Sequence, residues 1–546
     1  MLENCKIINY QGTKETSIED LIPENEKFQY VRCEVNDRLR ELSYKIKEPA
    51  KIELFKLAGD VEGMLIYKNT LMFVLAMALH NLFPSTKMLF SNDVSRSIYI
   101  RPVENEDFPL KNIRALETEV NRLIKSDIKI EKKLISKEKA IEIYKKEGLL
   151  DKLGILSYRN EDMVHLYQAD NYYDYFYGYM LPSTGYLTSF NIIPRIPGFL
   201  VQYPRSEENG KIPPFVAEPI YEKTLEEARD FSTKVGLSTI FALNNFAKKY
   251  SDNDFIQMSE SNHNNQLAAL GDLIANSKSE IKLICIAGPS SSGKTTFANR
   301  LRLELISRGI FPIRISLDDY YKDKKEIKPD ANGKYDYESL DCLRVDYFNN
   351  QLLDLLSLQE VDVPIYDFNV GKATKTRKLK LSKHQPIIIE GIHALTEEMT
   401  ISISKQNKFK IFIAPQAQVN IDDHSPISLT DLRLIRRIVR DAQFRNSKAE
   451  ETIQMWPSVR QGEFTWIYKN QQQADFVFNS FLPYELLILK KYALPLLSEI
   501  DKKSPYYVIA RRLILFLKYF SDVNEDLVPN CSLLREFIGK SCFKDV

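Results

Sequence analysis

The chain has 546 residues and carries 75 Lys plus Arg against 74 Asp plus Glu, a formal charge of +1. That balance excludes a protein built throughout to coat nucleic acid or an anionic membrane, so any basic site must be local. A hydrophobic content of 44% and a charged content of 27% exclude disorder and fibre and fit a globular chain of several domains.

Residues 1–65 alternate short apolar runs with polar turns, as in KIELFKLAGDVEGMLIY, and predict a small strand-rich unit. A helical pattern runs from Thr70 to Phe83 and stops at Pro84. Its longest apolar run, Leu71 to Leu79, is too short to span a bilayer, and no basic segment with an apolar core opens the chain. Helix and strand signals mix through 66–205, including the amphipathic IRALETEVNRLIKS and SKEKAIEIYKKEG, which predicts an α+β unit. Polar residues, Gly and three prolines in QYPRSEENGKIPPF mark a linker. It opens a mostly helical region, 206–278, interrupted by the polar stretch YSDNDFIQMSESNHNN. Over 279–482 the runs IKLICIA, FPIRISL, QPIIIEG, FKIFIAP and ADFVFNS interleave with helices, which predicts an α/β fold with a parallel sheet covered on both faces. Residues 483–546 read as helical. The six cysteines lack any C-x-x-C pair, so neither a disulfide framework nor a structural zinc site is indicated and a cytoplasmic, reducing setting is expected.

Glycine is scarce, 19 in 546, yet Gly288 and Gly293 bound a complete G-x-x-x-x-G-K-S/T element after an apolar strand and before a helix. In that context the backbone N–H groups of Gly288, Pro289, Ser290, Ser291, Ser292, Gly293, Lys294, Thr295 and Thr296, proline excepted, can converge on nucleotide phosphates. Lys294 is then expected to bridge the β and γ phosphates, and the Thr295 hydroxyl to ligate Mg²⁺. Asp318 follows the next strand and suits a general base for an acceptor hydroxyl, although a turn cap has the same residue type. Glu390 ends a third strand and can order Mg²⁺ through water. In DLRLIRRIVRDAQFR, Arg433, Arg436, Arg437 and Arg440 share one helix face while Leu432, Ile435 and Val439 line another. Such a stripe repels itself unless an anion meets it, which predicts arginines closing over a phosphate; a solvated face paired with Asp431 and Asp441 is the alternative.

In the order GPSSSGKTT, SLDDYY, KYDYESLD, VPIYDF, IIIEGIHAL and RRIVRD, residues 281–480 resemble the uridine kinase and phosphoribulokinase group of P-loop kinases. The resemblance implies transfer of the γ phosphate of ATP or GTP to the 5′-hydroxyl of a nucleoside, uridine or cytidine first, with Mg²⁺ and with Asp318 as base. It implies that Tyr321 and Glu338 face the ribose, Tyr366 the nucleobase, and Arg437 and Arg440 the phosphates; a homo-oligomer is also expected. Two positions depart from the family pattern: Glu338 replaces an aspartate, and Gly371 stands near the place of a base-reading histidine. The basic run Lys372 to Lys383 reads as a hairpin, either solvated or closing as a flap.

Residues 1–200 resemble the N-terminal part of threonyl-tRNA synthetases, a β-grasp unit (1–65) followed by the second additional domain (66–205), on TLMFVLAMALHNLFPSTKMLF and YFYGYMLPSTGYL. The four metal-ligand positions of that family are Phe73, Met77, Phe176 and Met180, so no zinc is expected. The run NYYDYFYGY holds six aromatics in nine residues, read as a half-buried strand or, second, as a ligand-stacking surface. Two other functions stay open. One is a kinase for a phosphorylated sugar or other small alcohol, favoured if the lysines and arginines of 372–383 face the acceptor. The other is a tRNA-associated nucleotide-gated binding protein, which near-zero net charge disfavours.

Overall fold

The computed structural model describes residues 5–103, 106–159, 161–175, 177–277, 280–329, 336–367 and 370–544. Strands β1 (Cys5–Tyr10), β2 (Arg32–Val35), β3 (Arg38–Arg40) and β4 (Ala50–Phe55) form an antiparallel sheet in the order β1-β4-β2-β3. Helix α1 (Val61–Leu82) starts at Val61, well before the expected Thr70, because the Asp60 side chain caps it by accepting the Gly63 N–H at 3.1 Å. Its length and composition would suffice to cross a membrane, yet 72% of its most apolar window is buried inside the protein. A helix apolar on nearly all sides is here the central element of a core. Around it pack α2 (Leu110–Lys125) and an antiparallel sheet of β5 (Met88–Asn92), β6 (Ile98–Pro102), β10 (Asn191–Arg195) and β11 (Gly198–Gln202). A three-stranded sheet of β7 (Glu131–Ser136), β8 (Met163–Ala169) and β9 (Tyr172–Asp174) adjoins them.

Helices α3 (Pro219–Val235) and α4 (Asp252–Ala275) follow. The polar stretch read as an interruption is the first half of α4: Ser251 caps it, and its buried Glu260 and His263 have partners in the C-terminal third. His263 Nε2 lies 3.0 Å from the Phe481 carbonyl, and Glu260 accepts from the Tyr484 hydroxyl at 2.6 Å.

All five expected strands of 279–482 are present: β12 (Leu283–Ala287), β13 (Ile313–Ser316), β16 (Ile387–Glu390), β17 (Lys408–Ala414) and β18 (Phe476–Asn479). They pair in parallel in the order β13-β16-β12-β17-β18. Alternate residues serve opposite cores: Ile284 and Ile286 pack with α4 and α5 (Lys294–Ile306), whereas Leu283, Cys285 and Ala287 pack with α6 (Val345–Leu356). Strands β14 (Val361–Asp367) and β15 (Lys372–Leu379) form a hairpin outside this sheet. Helices α7 (Leu429–Phe444), α8 (Ala449–Gly462), α9 (Glu485–Ser498), α10 (Tyr507–Leu517) and the short α11 (Arg535–Ile538) complete the chain.

Buried charge joins the N-terminal half to the sheet domain. Lys152 bonds Asp174 and stands 3.2 Å from Asp422, while His424 Nδ1 is 2.9 Å from Asp174. On α10, Arg512 donates to Glu62 of α1 at 2.7 Å and to Asp431 of α7 at 2.9 Å. Phe73, Met77 and Met180 are buried in the N-terminal core; Phe176, the remaining position of that metal-ligand set, lies outside the described residues. Thioether and phenyl groups give a borderline cation no adequate ligand set. Elemental analysis of the purified protein is expected to find far less than one zinc per chain, and stoichiometric zinc would overturn that expectation.

Candidate active site

Strand β12 ends in the loop Gly288–Gly293 and α5 starts at Lys294, so the loop lies at the carboxyl edge of the sheet's central strand. A Cβ on Gly288 would stand 2.0 Å from the Ile413 carbonyl oxygen of the neighbouring strand, and Gly293 has φ +90. Both positions therefore require glycine. The hydroxyls of Ser291, Ser292 and Thr296 are buried and make no hydrogen bond among the described residues. Three orphaned hydroxyls in and beside this loop are what a bound polyanion would satisfy. Lys294 Nζ lies back on the loop, donating to the carbonyls of Gly288 at 3.0 Å and Pro289 at 3.1 Å. Burial pushes its ammonium down in pKa, against the pull of Glu390, Asp318 and Glu536.

Asp318 sits in the turn Leu317–Tyr320 after β13, half-buried, and its carboxylate makes no hydrogen bond or ion pair among the described residues. Glu390, at the end of β16, accepts from Arg314 Nη1 at 3.2 Å. Burial raises the Glu390 carboxyl to about 7, opposed by Arg314 and reinforced by Asp318. Glu338 has no side-chain partner among the described residues. Burial and then the charge of Glu463 raise it to about 7, against Arg437 and Lys294. Glu338 thus belongs to the same electrostatic neighbourhood as Lys294 and Asp318. Gly462 lets it in, since a Cβ there would meet the Glu338 Cβ at 2.5 Å. The Tyr321 and Tyr366 rings stand 5.9 Å apart, and the Tyr366 N–H donates to Asp319 at 3.2 Å.

The arginine helix divides its labour. Arg433 and Arg436 do not form part of a ligand-facing stripe; they are buried and hold the loop from behind. Arg433 Nη2 donates to the Ser290 carbonyl at 2.9 Å and its guanidinium pairs with buried Glu463. Arg436 donates to the Ser291 carbonyl at 3.3 Å and pairs with Glu485 at 2.9 and 2.5 Å. Arg437 and Arg440 remain beside the loop: Arg437 Nη1 donates to Ser290 Oγ at 2.9 Å, and both pair with Asp441, at 3.2 and 2.6 Å. Arg445 is the third cation on that one carboxylate, at 3.7 Å, and the charge of Arg440 followed by burial pushes it down to about 10. Three guanidiniums on one aspartate leave surplus positive charge, which suits an anion.

Hairpin residues Lys372, Lys375 and Lys378 are exposed, and Lys378 pairs with Glu360 at 2.7 Å. Arg377 of the same strand is half-buried and donates to the Arg314 carbonyl at 3.0 Å, and Ala373 lines a recess with Asp319 and Tyr321.

Two features escaped the sequence reading. His393, three residues past Glu390, is buried with Nε2 2.8 Å from the Glu338 carbonyl, and burial lowers it to about 4, so it is neutral. Its place in IIIEGIHAL was the available signal. The C-terminal segment supplied none. Leu533 packs on Gly293, whose added Cβ would come within 2.3 Å of it, and Glu536 accepts the Thr296 N–H at 2.9 Å. A carboxylate therefore occupies a donor at the N-terminus of α5.

A parallel sheet whose central strand runs into this loop, lysine and helix defines a P-loop nucleotide-binding fold. The sequence model of the phosphoribulokinase / uridine kinase family matches residues 283–485. A uridine kinase of Ureaplasma parvum serovar 3 is 31% identical over 184 residues, 34% of this chain and 80% of that one. One of Borrelia duttonii is 31% identical over 205 residues, 36% of this chain and 85% of that one. The chain belongs to the phosphoribulokinase / uridine kinase family. A threonine–tRNA ligase of Desulforamulus reducens is 31% identical over 160 residues, 29% of this chain. This chain spans 25% of that ligase's length.

Replacing Glu536 by Ala removes a charge-assisted hydrogen bond of about 1.5–3 kcal/mol that any phosphate on the Thr296 N–H must displace. Calorimetry with a non-hydrolysable ATP analogue is expected to show binding tightened about tenfold, a change of about 1.4 kcal/mol. The raised carboxyl of Glu338 carries a pH signature. Its stabilising contribution is complete below the unfolded pKa of roughly 4.3 and is lost as pH rises through the folded value. Denaturant unfolding of the ligand-free protein at pH 5 and pH 8 should therefore show a loss that Glu338→Gln reduces by on the order of 2 kcal/mol.

Proposed function

We propose that the protein is a metal-dependent nucleoside kinase, moving the γ-phosphoryl group of ATP to the 5′-hydroxyl of a nucleoside, uridine or cytidine first. The observation that carries this reading is Asp318: a carboxylate without a hydrogen bond or ion pair among the described residues, beyond the carboxyl end of β13 and within electrostatic reach of Lys294, Glu338 and Glu390. In an open α/β sheet that edge is the ligand crevice, and a carboxylate there suits proton removal from an acceptor alcohol.

The loop N–H groups and Lys294 hold the triphosphate, for which Lys294 leaves the carbonyls of Gly288 and Pro289. Asp318 accepts the proton of the 5′-hydroxyl as its oxygen bonds to the γ phosphorus. The bond from that phosphorus to the β–γ bridging oxygen breaks, and ADP carries away the electron pair. Arg437 and Arg440 bring the cationic surplus near Ser290 to the charge on the transferring group. Glu338 and Tyr321 hold the ribose and Tyr366 the base. Thr295, with Glu390, fits a Mg²⁺ ion: burial and Asp318 keep Glu390 raised to about 7, a state that an added cation would relieve. Bound there, the ion would offset the β and γ phosphate charge.

Asp318→Asn is the decisive variant. With Mg-ATP and uridine, kcat should fall by about 10²–10⁴, the range of a general base. Nucleotide affinity should change by no more than about twofold, because the lost interaction belongs to the transition state. Retention of most activity would remove Asp318 from the role.

A further inference from the structure

Between the N-terminal half and the C-terminal helices lies a cavity of about 270 Å³, far in sequence from the phosphate loop. Its walls come from α1, the segment after β9, the start of α7 and α10. Tyr167, Tyr175, Tyr177 and Tyr179 line it, the last three from the aromatic run noted in the sequence. Three of their hydroxyls are already engaged. Tyr167 bonds Glu41 and the Gly178 carbonyl, Tyr175 lies 3.0 Å from the Tyr519 hydroxyl, and Tyr177 donates to the Arg512 carbonyl. What these residues leave for an occupant is ring surface, which suits a planar aromatic group.

Lys68 of α1 also lines this cavity, half-buried, and makes no hydrogen bond or ion pair among the described residues. Burial pushes its ammonium down in pKa, with Arg205 acting in the same direction and Tyr203 and Asp431 against it. Tyr179, His165, Lys132 and Arg511 are shared with a second recess of about 730 Å³, which adds Arg38, Arg40 and Lys502. Glu41 is the acid of that recess, and it already serves the Tyr167 hydroxyl and the Met180 N–H. Arg511 is exposed and has no ion-pair partner among the described residues. An aromatic chamber, whose acids Glu62 and Asp431 are taken up by Arg512 and whose Lys68 has no ion pair among the described residues, therefore adjoins a strongly basic vestibule.

We propose that this chamber and vestibule form a second binding site, for a free nucleoside phosphate, with the base among the tyrosines and the phosphate held by Lys68 and Arg511. The chamber suits a compact ring system, and a fatty acid would leave the cations of the vestibule unused. A purely inorganic anion would leave the aromatic walls unused. Ser428 and Asp431 also line the chamber, at the start of the helix that carries Arg437 and Arg440, so the occupant touches an element of the phosphate site without sharing it.

The test uses the full chain carrying Lys294→Ala, which weakens triphosphate binding at the phosphate loop, and the location of the bromine and the effect of the chamber substitutions separate the second site from the acceptor site. Crystals soaked with 5-bromouridine 5′-monophosphate or 8-bromoadenosine 5′-monophosphate should show bromine anomalous density between Tyr175 and Tyr179. Calorimetry with AMP, UMP, ATP and UTP should find at least one ligand whose affinity falls about tenfold on Lys68→Met and on Arg511→Gln, the loss of one charge-assisted contact. Arg511 is exposed, so its variant keeps the test decisive if Lys68→Met folds poorly. Bromine density confined to the phosphate-loop cleft, absence of binding by all four nucleotides, or affinity indifferent to the substitutions in folded protein would each overturn the proposal. So would retention of an oligonucleotide's terminal nucleotide with no binding of free nucleotides.

Discussion

A loop that turns its N–H groups inward to a phosphate must turn carbonyls outward, and buried carbonyls need donors. Here Arg433 and Arg436 supply them, reaching Ser290 and Ser291 from α7. A guanidinium taken out of water needs an anion in turn, and Glu463 and Glu485 fill that need from α8's end and α9's start. The loop is therefore held by a relay of full charges. Its shape before any ligand arrives depends on helices later in the chain. Preorganisation of that kind is what phosphoryl transfer asks of a protein, since positioning and electrostatics supply most of the rate.

The charges nearer the ligand are arranged by sign. Asp318, Glu338 and Glu390 gather on one side of Lys294, while Arg437, Arg440 and Arg445 crowd Asp441. The carboxyls of Glu338 and Glu390 are raised first by burial and then by neighbouring acids, Glu463 for the one and Asp318 for the other. Glu536 and the returned Lys294 are the molecule's own partial compensation, one set on a backbone donor and the other on backbone carbonyls. A charged ligand finds partners whose present attachments are all to the protein itself.

Much of the fold was legible in the sequence because its signals are local. Five short apolar runs became the five parallel strands, and two scarce glycines marked the close approach at Gly288 and Gly293. Where a signal depended on a distant partner, the reading went astray. Nothing near Arg436 says that its anion stands 49 residues on, so it passed for a ligand contact. Thr296 and Glu536 are 240 residues apart. Helix α4 looked broken because its polar residues have partners beyond residue 480, and α1 looked shorter because its first turn is marked by a cap and not by apolar period. Asp318 was legible by its place after a strand, whereas the burial of His393 against Glu338 joins positions 55 residues apart.

The Arg436–Glu485 pair also bears on how such a chain can be cut and joined over evolutionary time. Arg436 is fully buried and its anion falls at the last residue of the family match. A recombination point just before Glu485 would strand a buried cation, a loss of about 3–5 kcal/mol. That is comparable with the whole stability margin of many domains. Exchange of this catalytic fold with another protein is thus tolerable only if the segment beginning with α9 travels with it. The C-terminal helices are in that sense hereditary baggage of the phosphate loop, whatever is fused in front.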